Sequence, residues 1–191
     1  MQPEVAMPPL FAREDLEWKS RDHQYNDLES LVNVCMMMLG IDDYNVITQA
    51  ERLDPGNLAE TRMLPHNREA VITFDLDQLG PSVMRTIDSV IHEVVHLLLF
   101  PYEMVQLAMS NYFADHELVG ISMFGSVWTN ANERTVEAIA RMLSKGRSGV
   151  NLRVQLMQWA QPYRDELPEA PPIEWNSQSA LASAPGKGSH G

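Results

Sequence analysis

The feature that most constrains this chain is the five-residue segment His92-Glu93-Val94-Val95-His96. In an α-helix, residues four apart project from the same side, so the two imidazoles can converge on one tetrahedral cation. Glu93 follows about 100° further around the helix, where its carboxylate can reach a water at the metal without binding the metal itself. The segment therefore predicts a helix that carries two zinc ligands and a general base.

The same spacing can also arise without a metal, as one buried and one solvated histidine on an amphipathic helix. From the six His and fifteen Glu among the 191 residues, we expect about one or two HExxH matches in a hundred shuffled sequences. The apolar side of this helix is complete without the histidines and consists of Val83, Ile87, Ile91, Val94 and Leu98. Both observations favour a metal site over chance.

A third ligand is needed, because catalytic zinc is held by three protein groups and keeps its fourth position for water. The best source is the segment NERTVE at 132–137, where Glu133 and Glu137 lie four residues apart on one side of a predicted helix. On spacing alone, either carboxylate could reach the metal. The alternative is a solvated helix face, on which these acids pair with Arg134 or Arg141.

Together, HEVVH and the later NERTVEAIARML resemble the gluzincins, the HExxH metallopeptidases whose third ligand is a glutamate on a later helix. The resemblance implies that zinc is bound by His92, His96 and Glu133, with Glu137 as a hydrogen-bonding partner of a zinc histidine. The family pattern has Asp where this chain has Glu137. A metzincin motif is excluded, since it would need Gly and His where Leu99 and Tyr102 stand.

The compactness of the chain is similar to minimal gluzincin domains encoded by bacteriophages and their bacterial hosts. The resemblance implies an α+β, zincin-like fold with a small, mostly antiparallel sheet, an HExxH helix and a C-terminal helical subdomain. Such enzymes usually add a His, Tyr or Arg donor for the developing oxyanion. His116 and Tyr112 are the candidates here, whereas His23, His66 and His190 fall in predicted loops or tails and have no expected role.

Before the motif, local patterns predict one helix and two strands. Helical spacing predicts a helix over 27–39, capped by Asn26 or Asp27 and ended by Gly40. β-forming residues predict strands over 44–50 and 69–74, and we expect the second to be an edge strand along which a peptide could lie.

From Gly80-Pro81-Ser82 onward, the pattern is helical. The HExxH helix is predicted to end near Phe100, because Pro101 lacks a backbone donor. Further helices are predicted within 102–117, from Asn130 or Asn132 to Gly146 with Val136, Ala140 and Leu143 on one face, and over about 151–164. The stretch between Gly120 and Gly125 is predicted to interrupt them.

We expect one domain over 26–165, preceded by an extended arm at 1–25 and followed by a flexible tail at 166–191 that is rich in Pro, Ser, Ala and Gly. The net charge of −12 and the absence of a Lys/Arg cluster argue against nucleic acid as a partner. No apolar run approaches the ~20 residues of a membrane span. The lone Cys35 and the absence of a secretion signal favour the cytoplasm of a bacterial host, or a phage particle.

The function expected from the sequence is zinc-dependent hydrolysis of peptide bonds in a peptide or protein substrate. In this hypothesis, zinc polarises a water and the scissile carbonyl, while Glu93 takes the proton and delivers it to the leaving amine. Two alternatives stay open. One is a zincin-like structural or interaction protein, such as a phage component, with weak or lost turnover and with assembly through the arm and tail. The other is a zinc hydrolase of a non-peptide substrate.

Overall fold

The structure, a computed structural model, describes residues 16–41, 43–64, 68–115, 121–144 and 151–166. This part of the chain forms an α+β fold, as predicted, with helices packed against a small sheet. The strands are β1 (Asn45–Ala50), β2 (Ala59–Leu64) and β3 (Glu69–Phe74). The helices are α1 (Arg21–Leu39), α2 (Leu76–Leu79), α3 (Val83–Asp115), α4 (Ile121–Ser144), α5 (Leu152–Met157) and α6 (Gln161–Glu166).

The sheet is mixed, with the strand order β1-β3-β2. β3 runs parallel to β1 and antiparallel to β2. The prediction of a mostly antiparallel sheet was wrong because β2 was not recognised. Its exposed Glu60 and Arg62 alternate with partly buried residues. The sequence of β2 is therefore polar and lacks the apolar pattern that predicts a strand. Without β2, the two apolar strands look like neighbours in a simple antiparallel pair.

The expectation that 69–74 is an edge strand was also wrong, because β3 lies at the centre of the sheet. Its Ala70, Ile72 and Phe74 are fully buried and the residues between them are partly buried, so both faces of the strand are covered. The free edges of the three-stranded sheet belong to β1 and β2. Of the three strands, only β2 makes extensive contact with the HExxH helix.

Helix α1 begins six residues before the predicted start, and its N-cap is Ser20, whose hydroxyl accepts a hydrogen bond from the His23 amide. Asp27, a predicted cap, instead accepts a 2.6 Å hydrogen bond from the backbone of Gln161 at the start of α6. Gly40 ends α1 in the left-handed conformation at φ 68°, as predicted. His23 therefore lies on a helix rather than in a loop.

The segment before α1 packs on the domain, although it was predicted to be part of an extended arm. Leu16 and Trp18 are buried, and the Trp18 indole donates a 3.2 Å hydrogen bond to Thr86 on α3. The rest of that predicted arm, residues 1–15, lies outside the described residues. Cys35 is buried as predicted, and burial raises the pKa of its thiol to about 12, so it stays protonated.

Helix α3 continues for 33 residues with Pro101 inside it, so the predicted end near Phe100 was wrong. A proline in a helix removes one backbone hydrogen bond, and the helix formers on both sides allow the helix to resume. The predicted start was correct, since α3 follows Ser82, whose hydroxyl accepts from the Arg85 amide. Within the described chain, no helix is both long enough and apolar enough to cross a membrane.

Helix α4 begins at Ile121, well before the predicted caps Asn130 and Asn132, and Gly125 lies within it. An interior glycine costs a helix only about 1 kcal/mol relative to alanine, which tertiary packing can offset. Val136 and Ala140 are buried as predicted. The predicted C-terminal signal at Lys145 and Gly146 lies outside the described residues, as do His66, His116 and His190.

The single helix predicted over 151–164 is divided into α5 and α6 by a turn at 158–160. Asn151 caps α5 by accepting a hydrogen bond from the Val154 amide, and Leu152 and Leu156 are buried. Glu166 closes α6, and 167–191, most of the predicted tail, lies outside the described residues.

The β1–β2 connection is held in shape by two side chains around α2. The Gln78 amide group donates to the carbonyls of Asp54 and Asn57 and accepts from the Gly56 amide. It also donates to Asp75, whose carboxylate accepts from the Leu53 amide; these hydrogen bonds, led by that from Gln78, lower the pKa of Asp75. The side chains of Gln78 and Asp75 therefore hold the β1–β2 connection in one conformation.

We expect Gln78→Ala to lower the free energy of unfolding by about 1–3 kcal/mol, because several backbone groups of the connection lose their partner. Chemical denaturation measures this loss, and faster hydrogen exchange at Gly56 would localise it. Gln155→Ala is the matched control, since Gln155 also lies on a helix and its side-chain amide makes no hydrogen bond within the described chain. Equal effects of the two substitutions would contradict the assignment.

Candidate metal centre

His92 and His96 lie one turn apart on α3, with ring centroids separated by 5.1 Å. The helix buries Val90, Ile91 and Val94 against the core. This burial fixes the rotation of α3 about its axis and leaves both imidazoles partly exposed on the side that faces α4.

Glu133 reaches the two histidines from α4. One of its carboxylate oxygens, Oε2, lies 3.6 Å from His92 Nε2, and the other, Oε1, lies 3.6 Å from His96 Nε2. Buried Val136 and Ala140 anchor the following turns of α4 in the core. The structure therefore brings together the three side chains that the sequence analysis named as zinc ligands.

The donor set suits zinc in both chemistry and spacing. One donor atom from each of His92, His96 and Glu133 can be chosen so that all three lie within 4.8 Å of one another. Ligand atoms around tetrahedral zinc are about 3.3 Å apart, given zinc–ligand distances near 2.0 Å. Each histidine nitrogen lies 3.6 Å from an oxygen of Glu133, which is close to that value.

Electrostatics favour the neutral imidazole that a metal requires. Burial lowers the pKa of His92, and the neighbouring His96 lowers it further, while the Glu133 carboxylate acts in the opposite direction. Since metal ligation needs an unprotonated ring nitrogen, the environment of His92 reduces the competition from protons.

Glu93, next to His92 on α3, is buried, with 5% of its surface exposed. The Thr61 hydroxyl on β2 lies 2.8 Å from Glu93 Oε2 and 3.2 Å from the Glu93 backbone carbonyl. Burial raises the pKa of Glu93 to about 7, although the Thr61 hydrogen bond opposes this shift. A carboxyl with that pKa can exchange a proton near neutral pH.

Thr61 is the functional-site residue that sequence reasoning missed. It lies on the strand that was not predicted, between the charged Glu60 and Arg62, and no local motif marks it. Its proximity to Glu93 arises only from the packing of β2 against α3, across 32 residues of sequence.

A cavity of about 360 Å³ opens beside the metal-ligand group. Its floor includes His92, Glu93 and Glu133, and one wall is the β1–β2 connection that Gln78 holds in place. The remaining lining residues belong to the start of β2 and to the first turns of α3. The cavity therefore gives a small molecule or peptide access to Glu93 and to two of the candidate ligands, His92 and Glu133.

Glu137 pairs with Arg141 rather than occupying the ligand group. This is the pairing expected for a solvated helix face, yet Glu137 also lines a second cavity of about 220 Å³ together with His92. Its charge raises the pKa of His92, though less than that of Glu133 does. A role for Glu137 in orienting His92 remains a prediction.

Tyr112 lies on the same continuous helix as His96, sixteen residues further along. At 1.5 Å per residue, this places its backbone about 24 Å away along the axis, too far for its hydroxyl to reach a substrate at the ligand group. The suggestion that Tyr112 stabilises an oxyanion was therefore wrong. The other suggested donor, His116, lies outside the described residues.

In comparisons with known protein families, characterised proteins and solved structures, the chain matches none of them. An α+β architecture hosts many unrelated activities, so it does not assign a function by itself. Function must be inferred from the chemistry of His92, Glu93, His96 and Glu133.

We expect Thr61→Val to lower the free energy of unfolding by about 1–3 kcal/mol, because the buried Glu93 carboxylate loses its hydroxyl donor while the side-chain volume is kept. Thermal or chemical denaturation of the metal-free protein measures this effect without any assumption about function. Thr61→Ser keeps the hydroxyl and should recover most of the loss. A serine variant as unstable as the valine variant would assign the effect to packing instead.

Proposed function

We propose that this protein is a zinc-dependent metallopeptidase. The observation that carries the proposal is the convergence of His92 Nε2 and His96 Nε2 on the two oxygens of Glu133, at 3.6 Å each, beside the buried Glu93. Two of the three ligands, His92 and Glu133, line one cavity together with Glu93, as hydrolysis at a metal requires. The resemblance of both motifs to the gluzincins supports the same activity.

In the proposed mechanism, His92, His96 and Glu133 would hold zinc, which would supply Lewis-acid polarisation of a water and of the scissile carbonyl. Glu93 accepts the proton of that water and passes it to the leaving amine. Thr61 keeps the Glu93 carboxylate in one orientation through Oε2, and no described residue donates a hydrogen bond to Oε1. That second oxygen is therefore available for proton transfer.

The free edge of β2 supports a peptide as the substrate. β2 bonds to β3 on one side within the described sheet, and its first residue lines the cavity. An extended peptide can add to such an edge through backbone hydrogen bonds, which do not depend on sequence. Thr61 ties this edge to Glu93, so a peptide on β2 would pass directly over the acid–base residue.

We expect the purified protein to bind about one zinc per chain and Glu133→Ala to weaken that binding far more than Glu137→Ala. Both carboxylates lie on α4 with 52% of the side chain exposed, so the pair is matched for helix and exposure. Loss of an orienting group costs about 10–100-fold in metal affinity, and loss of a ligand costs more. Zinc titration against a competing chelator measures both.

The result that would contradict the ligand assignment is the opposite ranking, which would exchange the roles of the two glutamates. A folded native chain that retains less than about a tenth of an equivalent after zinc reconstitution would remove the basis of the metallopeptidase proposal. Circular dichroism of each variant separates a lost ligand from a lost fold.

We expect Glu93→Gln to retain zinc and fold but to lower the rate of peptide cleavage by about 10²–10⁴-fold, because the substitution keeps size and removes the base. Cleavage of a random peptide library, read by mass spectrometry, measures turnover. Equal rates for the native and Glu93→Gln chains would refute the role of Glu93. If the zinc-loaded native chain cleaves no peptide, the activity lies with a non-peptide substrate or has been lost.

A further inference from the structure

Arg85 is an unpaired cation that lines the same cavity as His92 and Glu133. Among the described residues, five basic side chains each pair with a carboxylate: Lys19, Arg21, Arg68, Arg141 and Arg153. The exposed Arg85, like Arg52, Arg62 and Arg134, forms no such pair within that part of the chain, although the protein carries 26 acidic residues against 14 basic ones. It lines the cavity together with His92, Glu93 and Glu133.

The cavity-lining acid nearest to Arg85 in sequence already has a cationic partner. Asp88 lies three residues further along α3, but its carboxylate accepts two hydrogen bonds from Arg153, at 2.9 Å and 2.5 Å. The positive end of the α3 dipole adds to the charge of Arg85, which is in the first turn of that helix. This end of the cavity therefore favours an anion, although the chain as a whole has a net charge of −12.

The position of Arg85 along α3 determines how far this end of the cavity lies from the metal ligands. Arg85 precedes His92 by seven residues, which is two helical turns, so both lie on one face and about 10 Å apart along the axis. An extended peptide advances about 3.3–3.6 Å per residue. A group held at Arg85 would thus lie about three residues from a bond positioned at the metal ligands.

We propose that Arg85 forms a carboxylate-binding subsite that selects peptides with an acidic group about three residues from the cleaved bond. A guanidinium binds a carboxylate through two parallel hydrogen bonds. An amide carries no negative charge, so it cannot form the same charge-assisted pair. The carboxylate can be an Asp or Glu side chain or the free C-terminus of the substrate. The inference rests on the proposed function only for the location of the cleaved bond.

The test is retention of matched peptides on immobilised, zinc-reconstituted Glu93→Gln protein, in which turnover is blocked. The probes are eight-residue libraries with Glu or Gln fixed at each position in turn, each made with a free and with an amidated C-terminus. We expect carboxylate-bearing peptides to be retained about tenfold better than their amide counterparts. Adding Arg85→Gln should bring that ratio to about one.

Arg68→Gln, also added to the Glu93→Gln protein, is the control for removal of one positive charge. Arg68 precedes β3 at the end of the sheet opposite to the cavity and pairs with Asp43, so its loss should leave the tenfold ratio intact. Preference confined to free C-termini, or to Glu over Gln, would support the subsite and identify the source of the carboxylate. A ratio near one with Arg85 present, or a tenfold ratio that survives Arg85→Gln, would overturn the proposal.

The two proposals fail separately. Retention that depends on Arg85, in a protein that binds no zinc and cleaves no peptide, would keep the carboxylate subsite and reject the metallopeptidase. Cleavage by the native chain without any acid-over-amide preference would do the reverse.

Discussion

The candidate centre depends on the burial of one side of α3. Val83, Ile87, Ile91 and Val94 are fully buried, and each large apolar side chain removed from water contributes about 1.5–3 kcal/mol. This side fixes the rotation of the helix. Every other direction follows from it: the histidines face α4, Glu93 faces β2, and Arg85 faces the open end of the cavity. A rotated helix would separate all of these groups.

The burial of Glu93 is unfavourable for stability, but it brings the pKa of the carboxyl into a range where a proton can be exchanged near neutral pH. A carboxyl with 5% exposure is costly to ionise, which is why the pKa is raised to about 7. Leucine at this position would suit the core better, but it could not transfer a proton. Thr61 offsets part of the cost by donating to the carboxylate, so a residue on the sheet stabilises a buried carboxyl on the helix.

The parts of the site that could be predicted from the sequence are those governed by helical periodicity. The spacing of His92 and His96 predicted that their imidazoles share one side of a helix. Spacing left Glu133 and Glu137 as equal candidates, and only the resemblance to the gluzincins favoured Glu133, which the structure places at 3.6 Å from each histidine. What could not be predicted depends on tertiary packing. The polar strand β2 is held by its neighbours rather than by its own propensity, so neither Thr61 nor the central position of β3 was visible. Pro101 and Gly125 were over-interpreted as breaks, because local rules neglect the packing that carries a helix through them.

The central position of β3 also determines when the sheet can form during synthesis. β1 and β2 emerge first but do not bond to each other, and both wait for a strand that ends at Phe74. The β1–β3 pairing closes a loop of 24 residues, as in Asn45 with Glu69, before any parallel ladder exists. Such non-local closure is slow compared with the growth of a helix. Since α3 begins nine residues after Phe74, the segment that forms the histidine-bearing helix is synthesised directly after the last strand on which the sheet depends.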